Sequence, residues 1–294
     1  MPNHFFSQNG LTACCTDTSI TLFWDKPAAA GAVETYTVLL DDAAAAHTQK
    51  THCTLENLRP ETTYSLFVQW RSGSIGELTI RTTPTKRCLD VTASPYSAVG
   101  DGKAMNTAAL QKAIDDCGER EQIYFPAGVY CTGTLRLHSN MELYLEEGAV
   151  LQGTADPEDY LPRISSRFEG TEMECYSSLL NLGTLDHTAG PNCENVILRG
   201  KGTIASGGKL LAERIIASER ERLKDYLAQN ATLVSTCENA DTIPGRVRPR
   251  LVNMSNCRNI WMEGLTFANG ASWNLHMVYS DQIVTCLLYT SPSP

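Results

Sequence analysis

The stretches NCENVILRGKGTI (residues 192–204) and NCRNIWMEGLTF (residues 256–267) repeat one pattern, and SDQIVTC (residues 280–286) gives a weaker third copy. Asn195, Asn259 and Gln282 fall at matching places, 64 and then 23 residues apart. Short strand patterns that recur in this way are the mark of a stacked, quasi-one-dimensional chain. The 23-residue spacing fits one coil of a parallel β-stack. The 64-residue spacing is read as about three coils, lengthened by a helical insertion around residues 209–228. In each coil, inward Val, Ile, Leu and Cys would lie on their counterparts above and below, and the polar residue at the bend would pair with the backbone of the next bend.

Upstream of the repeat, strand-like runs at 122–125, 134–137, 142–145 and 149–151 are punctuated by Gly128, Gly133, Gly148 and Gly153, with nothing helical between them. Ahead of these, Leu110, Ala113, Ile114 and Cys117 stand at i, i+3, i+4 and i+7, with Asn106 or Thr107 as N-cap and Gly118 past the end. That spacing predicts one amphipathic helix of about eleven residues, placed to plug the open end of the stack. In the insertion, Leu210, Leu211, Ile215, Leu223, Tyr226 and Leu227 predict an apolar stripe laid against the side of the stack.

The first ninety residues read differently. Period-two alternation in Ile20, Leu22, Trp24, in Tyr36, Val38, Leu40, and in Tyr64, Leu66, Val68, Trp70 predicts half-buried antiparallel strands, separated by turn-rich segments at 25–31 and 71–76. The stretch LRPETTY (residues 58–64), with Trp24 upstream as a core tryptophan, resembles the tyrosine corner of fibronectin type III domains. The resemblance implies a small sandwich over residues 1–85, ending in a short linker at 83–86. Its role is read as that of a spacer or docking module.

The chain has 294 residues, 42% apolar and 19% charged, with 24 basic and 33 acidic side chains and a net charge of −9. An acidic chain argues against a nucleic-acid partner, and no apolar run is long enough to span a membrane. Eleven cysteines, an odd number, together with an amino terminus lacking basic and apolar leader regions, predict reduced thiols in a cytoplasmic protein. There is no CxxC pair, the six histidines are scattered, and phosphate-loop motifs are absent. No metal and no cofactor are expected.

The run AVGDGKAMNTAALQKAIDDC, followed by IYFPAGVYCTGTLRLHSNMELYLEEGAVLQGTADPEDY, GKGTIASGG and RPRLVNMSNCRNIWMEGLTFANGASWNLH, resembles the polygalacturonase-like enzymes of glycoside hydrolase family 28 from about Val91 to Cys286. The resemblance implies an all-β chain: a fibronectin type III-like sandwich at 1–85, then a right-handed parallel β-helix at 86–294 with a capping helix. It also implies inverting hydrolysis of galacturonide or related linkages in pectic oligosaccharides or polysaccharides. One carboxyl protonates the leaving oxygen and another activates water, the two roughly 6.5–9.5 Å apart. The family's NTD, DD, GHG and RIK motifs are absent from this chain. Asp41-Asp42 and Asp115-Asp116 are read as solvated surface pairs, so no catalytic residue is assigned.

The tail LLYTSPSP leaves the coil pattern just after Cys286 and is read as non-native sequence on a truncated, inactive fragment, with an open last coil that favours association. The substrate-contact candidates are His276, Asn274 and Arg248. Strand alternation puts Trp273 and Leu275 on the core face and Asn274 and His276 on the outer face. Arg248, in the alternating trio Arg246, Arg248, Arg250, could attract a uronate. The alternatives are a noncatalytic carbohydrate-binding β-helix, and a β-helix lyase, which would need Ca²⁺ and a carboxylate cluster not seen here.

Overall fold

Alternating apolar residues in the first ninety positions pair into two antiparallel four-stranded sheets. One holds Phe5–Gln8, Leu11–Cys15, Ile20–Trp24 and His52–Leu55, in that order. The other runs Ala43–Thr48, Tyr36–Leu40, Thr63–Trp70, Gly73–Arg81. This computed structural model describes residues 5–31, 34–71, 73–188 and 190–290, and the chain divides into two units, Met1–Arg87 and Cys88–Pro294.

Leu22, Trp24, Tyr36, Val38, Leu66 and Val68 form the core of the first unit, with Trp24 edge-on to Tyr36 at 5.3 Å. The Tyr64 hydroxyl accepts from the Arg59 backbone N–H at 2.9 Å, closing the tyrosine corner that LRPETTY predicts. The register slips between Val68 and Gln69, yet the alternation holds: Gln69 is exposed and Trp70 packs half-buried against the core, its Nε1 donating to Glu34 at 3.0 Å.

The second unit is built from three parallel sheets, to which successive coils contribute strands. One sheet contains Glu121–Phe125, Met141–Leu145, Cys193–Gly200, Cys257–Glu263 and Asp281–Cys286 in spatial order. A second contains Gly128–Thr132, Ala149–Gly153, Thr203–Ala205, Thr266–Ala268 and Tyr289–Thr290. The third, described with the site below, contains Leu135–Leu137, Leu180–Leu182, Val252–Ser255 and Leu275–Val278. In-register pairing lays like on like: Ile123, Leu143, Leu198 and Met262 form one buried column, and Tyr130, Leu151, Ile204 and Phe267 another.

Several expectations are corrected by this register. Val196 lies directly against Ile260, so the 64 residues between Asn195 and Asn259 make one coil carrying a large insertion, not about three. The bend residues pair through side chains: Asn195 Nδ2 donates to Asn140 Oδ1 at 2.8 Å, and Asn259 Nδ2 to Asn195 Oδ1 at 2.6 Å. All three asparagines have positive φ, near 60°, a conformation their short polar side chain tolerates. Tyr289–Thr290 continues the parallel ladder, so the coil pattern persists past Cys286; residues 291–294 of the tail lie outside the described residues.

The helix Thr107–Asp116 forms as spaced and buries Leu110, Ala113 and Ile114 in the core of this unit. Asn106 makes no capping hydrogen bond. Its Oδ1 accepts from Val99 N at 2.7 Å and its Nδ2 donates to the Val99 and Ala104 carbonyls, tying down the preceding loop. The insertion holds three helices, Gly208–Arg222, Lys224–Gln229 and Ala231–Ser235. Leu211 and Ile215 are buried as expected, whereas Leu210 and Tyr226 of the same stripe are about half exposed.

Gln282 takes the position that asparagine holds in the coils before it, also at positive φ, and Asn259 Oδ1 is left buried without a partner. Replacing Gln282 by Asn should extend the ladder by one amide. A gain of about 1 kcal/mol in urea unfolding is expected, and an unchanged or lowered midpoint would show that the ladder does not propagate.

Candidate functional site

Four short strands carry the sequence triplets Leu135-Arg136-Leu137, Leu180-Asn181-Leu182, Val252-Asn253-Met254 and Leu275-His276-Met277. Each is apolar, polar, apolar, and period-two geometry sends the outer pair of the first three to the core and the middle residue away from it; in the fourth, Leu275 is half-buried and Met277 is 45% exposed. Parallel pairing puts Arg136 against Asn181, Asn181 against Asn253, and Asn253 against His276. The outer face of this sheet is therefore a single polar column, one residue per coil.

A hairpin crosses that column. Its strands Ile164–Phe168 and Thr171–Cys175 pair antiparallel, and Ser166 is buried with its Oγ 3.2 Å from Asn253 Oδ1. Phe168 stacks on Trp273 at 5.2 Å, and the Arg167 carbonyl accepts from Arg250 Nη2 at 2.8 Å. On the second strand, Glu172 accepts from the Tyr279 hydroxyl at 3.0 Å and lies 2.9 Å from His187 Nε2. These two partners hold its carboxyl below the usual range, His187 first and Tyr279 second. At the foot of the hairpin, Arg163 pairs with Glu219, which the helix Gly208–Arg222 buries completely.

His276 sits where the hairpin ends. Asn253 Nδ2 donates to Ser255 Oγ at 3.2 Å, and its Oδ1 faces His276 Nδ1 at 2.9 Å. The neutral ring thus carries its proton on Nδ1 and its lone pair on Nε2, which has no partner among the described residues. Burial first, and the nearby Arg250 charge second, depress the His276 pKa to about 4.

The three candidates fare differently. His276 is on the outer face as alternation requires. Asn274 is not: it is 7% exposed, with Oδ1 accepting from Gly270 N at 3.0 Å and Nδ2 directed at the Phe267 carbonyl. Trp273, assigned to the core, is 38% exposed, because both residues precede the strand Leu275–Val278, where alternation does not apply. Arg248 is half-buried and donates from Nε to the Gly245 carbonyl at 2.8 Å, so its fork serves the loop. Burial and the neighbouring Arg250 both lower its pKa.

Arg250, the third of the trio, is 2% exposed and lies beside the stacked pair Phe168 and Trp273, its Cζ 5.3 and 5.5 Å from their rings. It has no carboxylate partner among the described residues. Sequence reading missed Asn253, Asn181, Arg136 and the hairpin, although the four apolar-polar-apolar triplets carried the signal. Asp41 and Asp42 occupy a tight turn at positive φ; Asp115 and Asp116 are exposed on the helix as expected, and Asp115 Oδ1 accepts at 2.8 Å from Gln111 Nε2, which also binds the Arg136 carbonyl. Among the described residues there is no group of three or more His, Cys, Asp or Glu able to hold a metal. No described helix is long and apolar enough to cross a membrane.

Residues 9–85 match the family described as fibronectin type III domain, and residues 91–153 the family described as rhamnogalacturonase A/epimerase, pectate lyase-like. An exo-poly-alpha-D-galacturonosidase of Dickeya chrysanthemi is 30% identical over 228 residues, covering 72% of this chain and 37% of that protein. The chain is a fibronectin type III domain joined to a relative of the family 28 polygalacturonases.

A probable polygalacturonase of Vitis vinifera is 28% identical over 199 residues, 64% of this chain and 34% of that protein. The structure of a family 28 exopolygalacturonase from Yersinia enterocolitica superposes on 98% of this chain and 59% of its own length, with a TM-score of 0.74 at 21% identity, which establishes the shared fold. The chain thus spans little more than a third of the curated relatives it matches.

In this relative of the polygalacturonases, the depressed His276 pKa has a stability consequence. Between about pH 4 and the unfolded value of 6.5, the unfolded chain binds a proton that the folded ring refuses, so stability falls as pH drops through that window. After discounting for solvent that reaches the half-buried ring, the loss is about 1–2 kcal/mol. His276→Gln should flatten the slope of unfolding free energy against pH between 4 and 6.5; a slope equal to that of the parent chain would contradict the assignment.

Proposed function

We propose that this chain supplies the first coils of a glycoside hydrolase that cuts galacturonide or related linkages in pectic oligosaccharides and polysaccharides, taking its substrate by the chain end. The observation that carries the reading is the polar column leading to His276, crossed by a hairpin whose Ser166 is buried on Asn253. A sugar chain lying along the column from the His276 side meets the hairpin and goes no further. The relatives named for exo action agree with this reading.

In this reading the coils wind right-handed and the helix Thr107–Asp116 caps the stack. Hydrolysis is inverting: a protonated carboxyl serves the leaving oxygen while a second carboxylate, roughly 6.5–9.5 Å away, activates water. Both carboxylates belong to coils beyond Thr290. His276 contributes binding. Its Nε2 lone pair accepts from a sugar hydroxyl and, being neutral above about pH 4, does so across the range in which a uronate is ionised. The buried Arg250 charge biases this end of the groove toward anionic sugars.

The test is the complete gene product acting on polygalacturonate. The expected result is early release of mono- or disaccharide with slow loss of viscosity, and inverted anomeric configuration by proton NMR. Rapid viscosity loss with a ladder of intermediate oligomers would overturn the chain-end assignment. Unsaturated, ultraviolet-absorbing products would replace hydrolysis by elimination, and binding without turnover would leave a noncatalytic carbohydrate-binding β-helix. His276→Ala is expected to raise KM about tenfold, the cost of one lost hydrogen bond to substrate, with a smaller change in kcat.

A further inference from the structure

On the other side of the hairpin from His276 lies a cavity of about 720 Å³. Arg136, Asn181 and Asn253, the first three residues of the polar column, are among its lining. Ile164 and Leu185 contribute apolar wall, and His138 and Cys193 close it at the bend. Asn253, whose Oδ1 accepts from the Ser166 hydroxyl and faces His276 Nδ1, is where the cavity meets the His276 end of the column. With about 4.8 Å between neighbouring strands, the three steps from Arg136 to His276 put them roughly 14 Å apart.

The chemistry of the lining is selective. In a chain with 33 acidic residues, none of those around this cavity is Asp or Glu. The Arg136 side chain is exposed and makes no hydrogen bond or ion pair among the described residues. Its backbone is nevertheless held in place: the N–H donates to Gln111 Oε1 at 2.9 Å and the carbonyl accepts from Gln111 Nε2 at 3.0 Å. The Asn181 amide is consumed by Thr134, Leu135 and Ser178, and both His138 ring nitrogens face backbone carbonyls at 2.8 Å. Walls that are fixed and internally satisfied, with one free guanidinium, suit a ligand offering a carboxylate to the arginine and C–H faces to Ile164 and Leu185.

We propose that this cavity is a second binding site for short oligouronides, distinct from the groove at His276, with Arg136 as the carboxylate anchor. The proposal rests on the galacturonide reading above for the class of sugar. A volume of this size holds a di- or trisaccharide. A site so placed retains a pectic chain or a released product while the groove handles the chain end.

The test is calorimetric titration of residues 1–294 with trigalacturonate, beside its uncharged counterpart galactotriose. Trigalacturonate is expected to bind at least tenfold tighter than galactotriose. Arg136→Gln should weaken it at least tenfold and remove its salt dependence, while Lys201→Gln, which removes an exposed cation outside the lining, changes it less than twofold. Matching circular dichroism and urea midpoints establish that the variants fold. Binding that Arg136→Gln leaves intact, or that Lys201→Gln weakens as much, overturns the cavity while leaving the galacturonide reading in place. Equal affinity for galactotriose overturns the carboxylate anchor. No binding of trigalacturonate overturns the second site, and the turnover assay of the complete gene product decides the hydrolase reading separately.

Discussion

Every functional feature of the second unit depends on in-register parallel pairing from coil to coil. When Arg136 meets Asn181, Asn181 meets Asn253 and Asn253 meets His276, the backbone ladder decides that one outward residue per coil becomes one continuous column. The same ladder aligns the buried columns, so a slip of one residue in any coil would expose Leu135 or Leu180 and bury the polar residue beside it. Core and binding face are two readings of one register. The Asn140, Asn195, Asn259 ladder reinforces it at a bend, where each amide has its counterpart as partner only when the coils are aligned.

The hairpin 164–175 is a second constraint, laid on the first. A regular stack presents an open trough on its outer face; the insertion between Ala149–Gly153 and Leu180–Leu182 converts that trough into two spaces. Its hold is distributed over different chemistries: a buried Ser-Asn contact, an aromatic stack, an arginine-to-carbonyl bond and a Glu172 cluster with His187 and Tyr279. An exposed ion pair contributes little by itself. The position of the hairpin therefore rests on Ser166 and Phe168, and Glu172 sets its outer edge.

How much of this was legible in the sequence follows from which signals are local. The tyrosine corner was readable because LRPETTY encodes a contact between residues five apart, and the helix Thr107–Asp116 because its apolar spacing is continuous. The repeat was readable too, but not its length: the helices of the insertion sit inside a single coil, and only the pairing of Val196 with Ile260 reveals it. His276 was placed on the outer face because it lies within a strand. Asn274 and Trp273 were misplaced because they lie just before it, where the turn at Gly270 captures the Asn274 amide. Arg250 could not be told from Arg246 or Arg248 by sequence, since its burial is created by Phe168, more than eighty residues away.

That burial explains why His276 behaves as it does. A guanidinium removed from water without a carboxylate is costly, and here the compensation is partial: two backbone carbonyls accept from Nη1 and Nη2, the stacked rings of Phe168 and Trp273 lie beside the ion, and Nε is left unbonded. Pairing with an acid would have lowered the cost but would also have cancelled the charge. Left unpaired, the charge acts outward. Second to the burial of the ring itself, it opposes protonation of His276 and so helps keep the imidazole an acceptor, and it opposes the field of a chain whose net charge is −9 at the point where the groove meets the hairpin. The stability given up at Arg250 thus maintains, at one end of the column, a neutral hydrogen-bond acceptor beside a fixed positive charge, the pair of features that a hydroxyl-rich, acidic sugar requires.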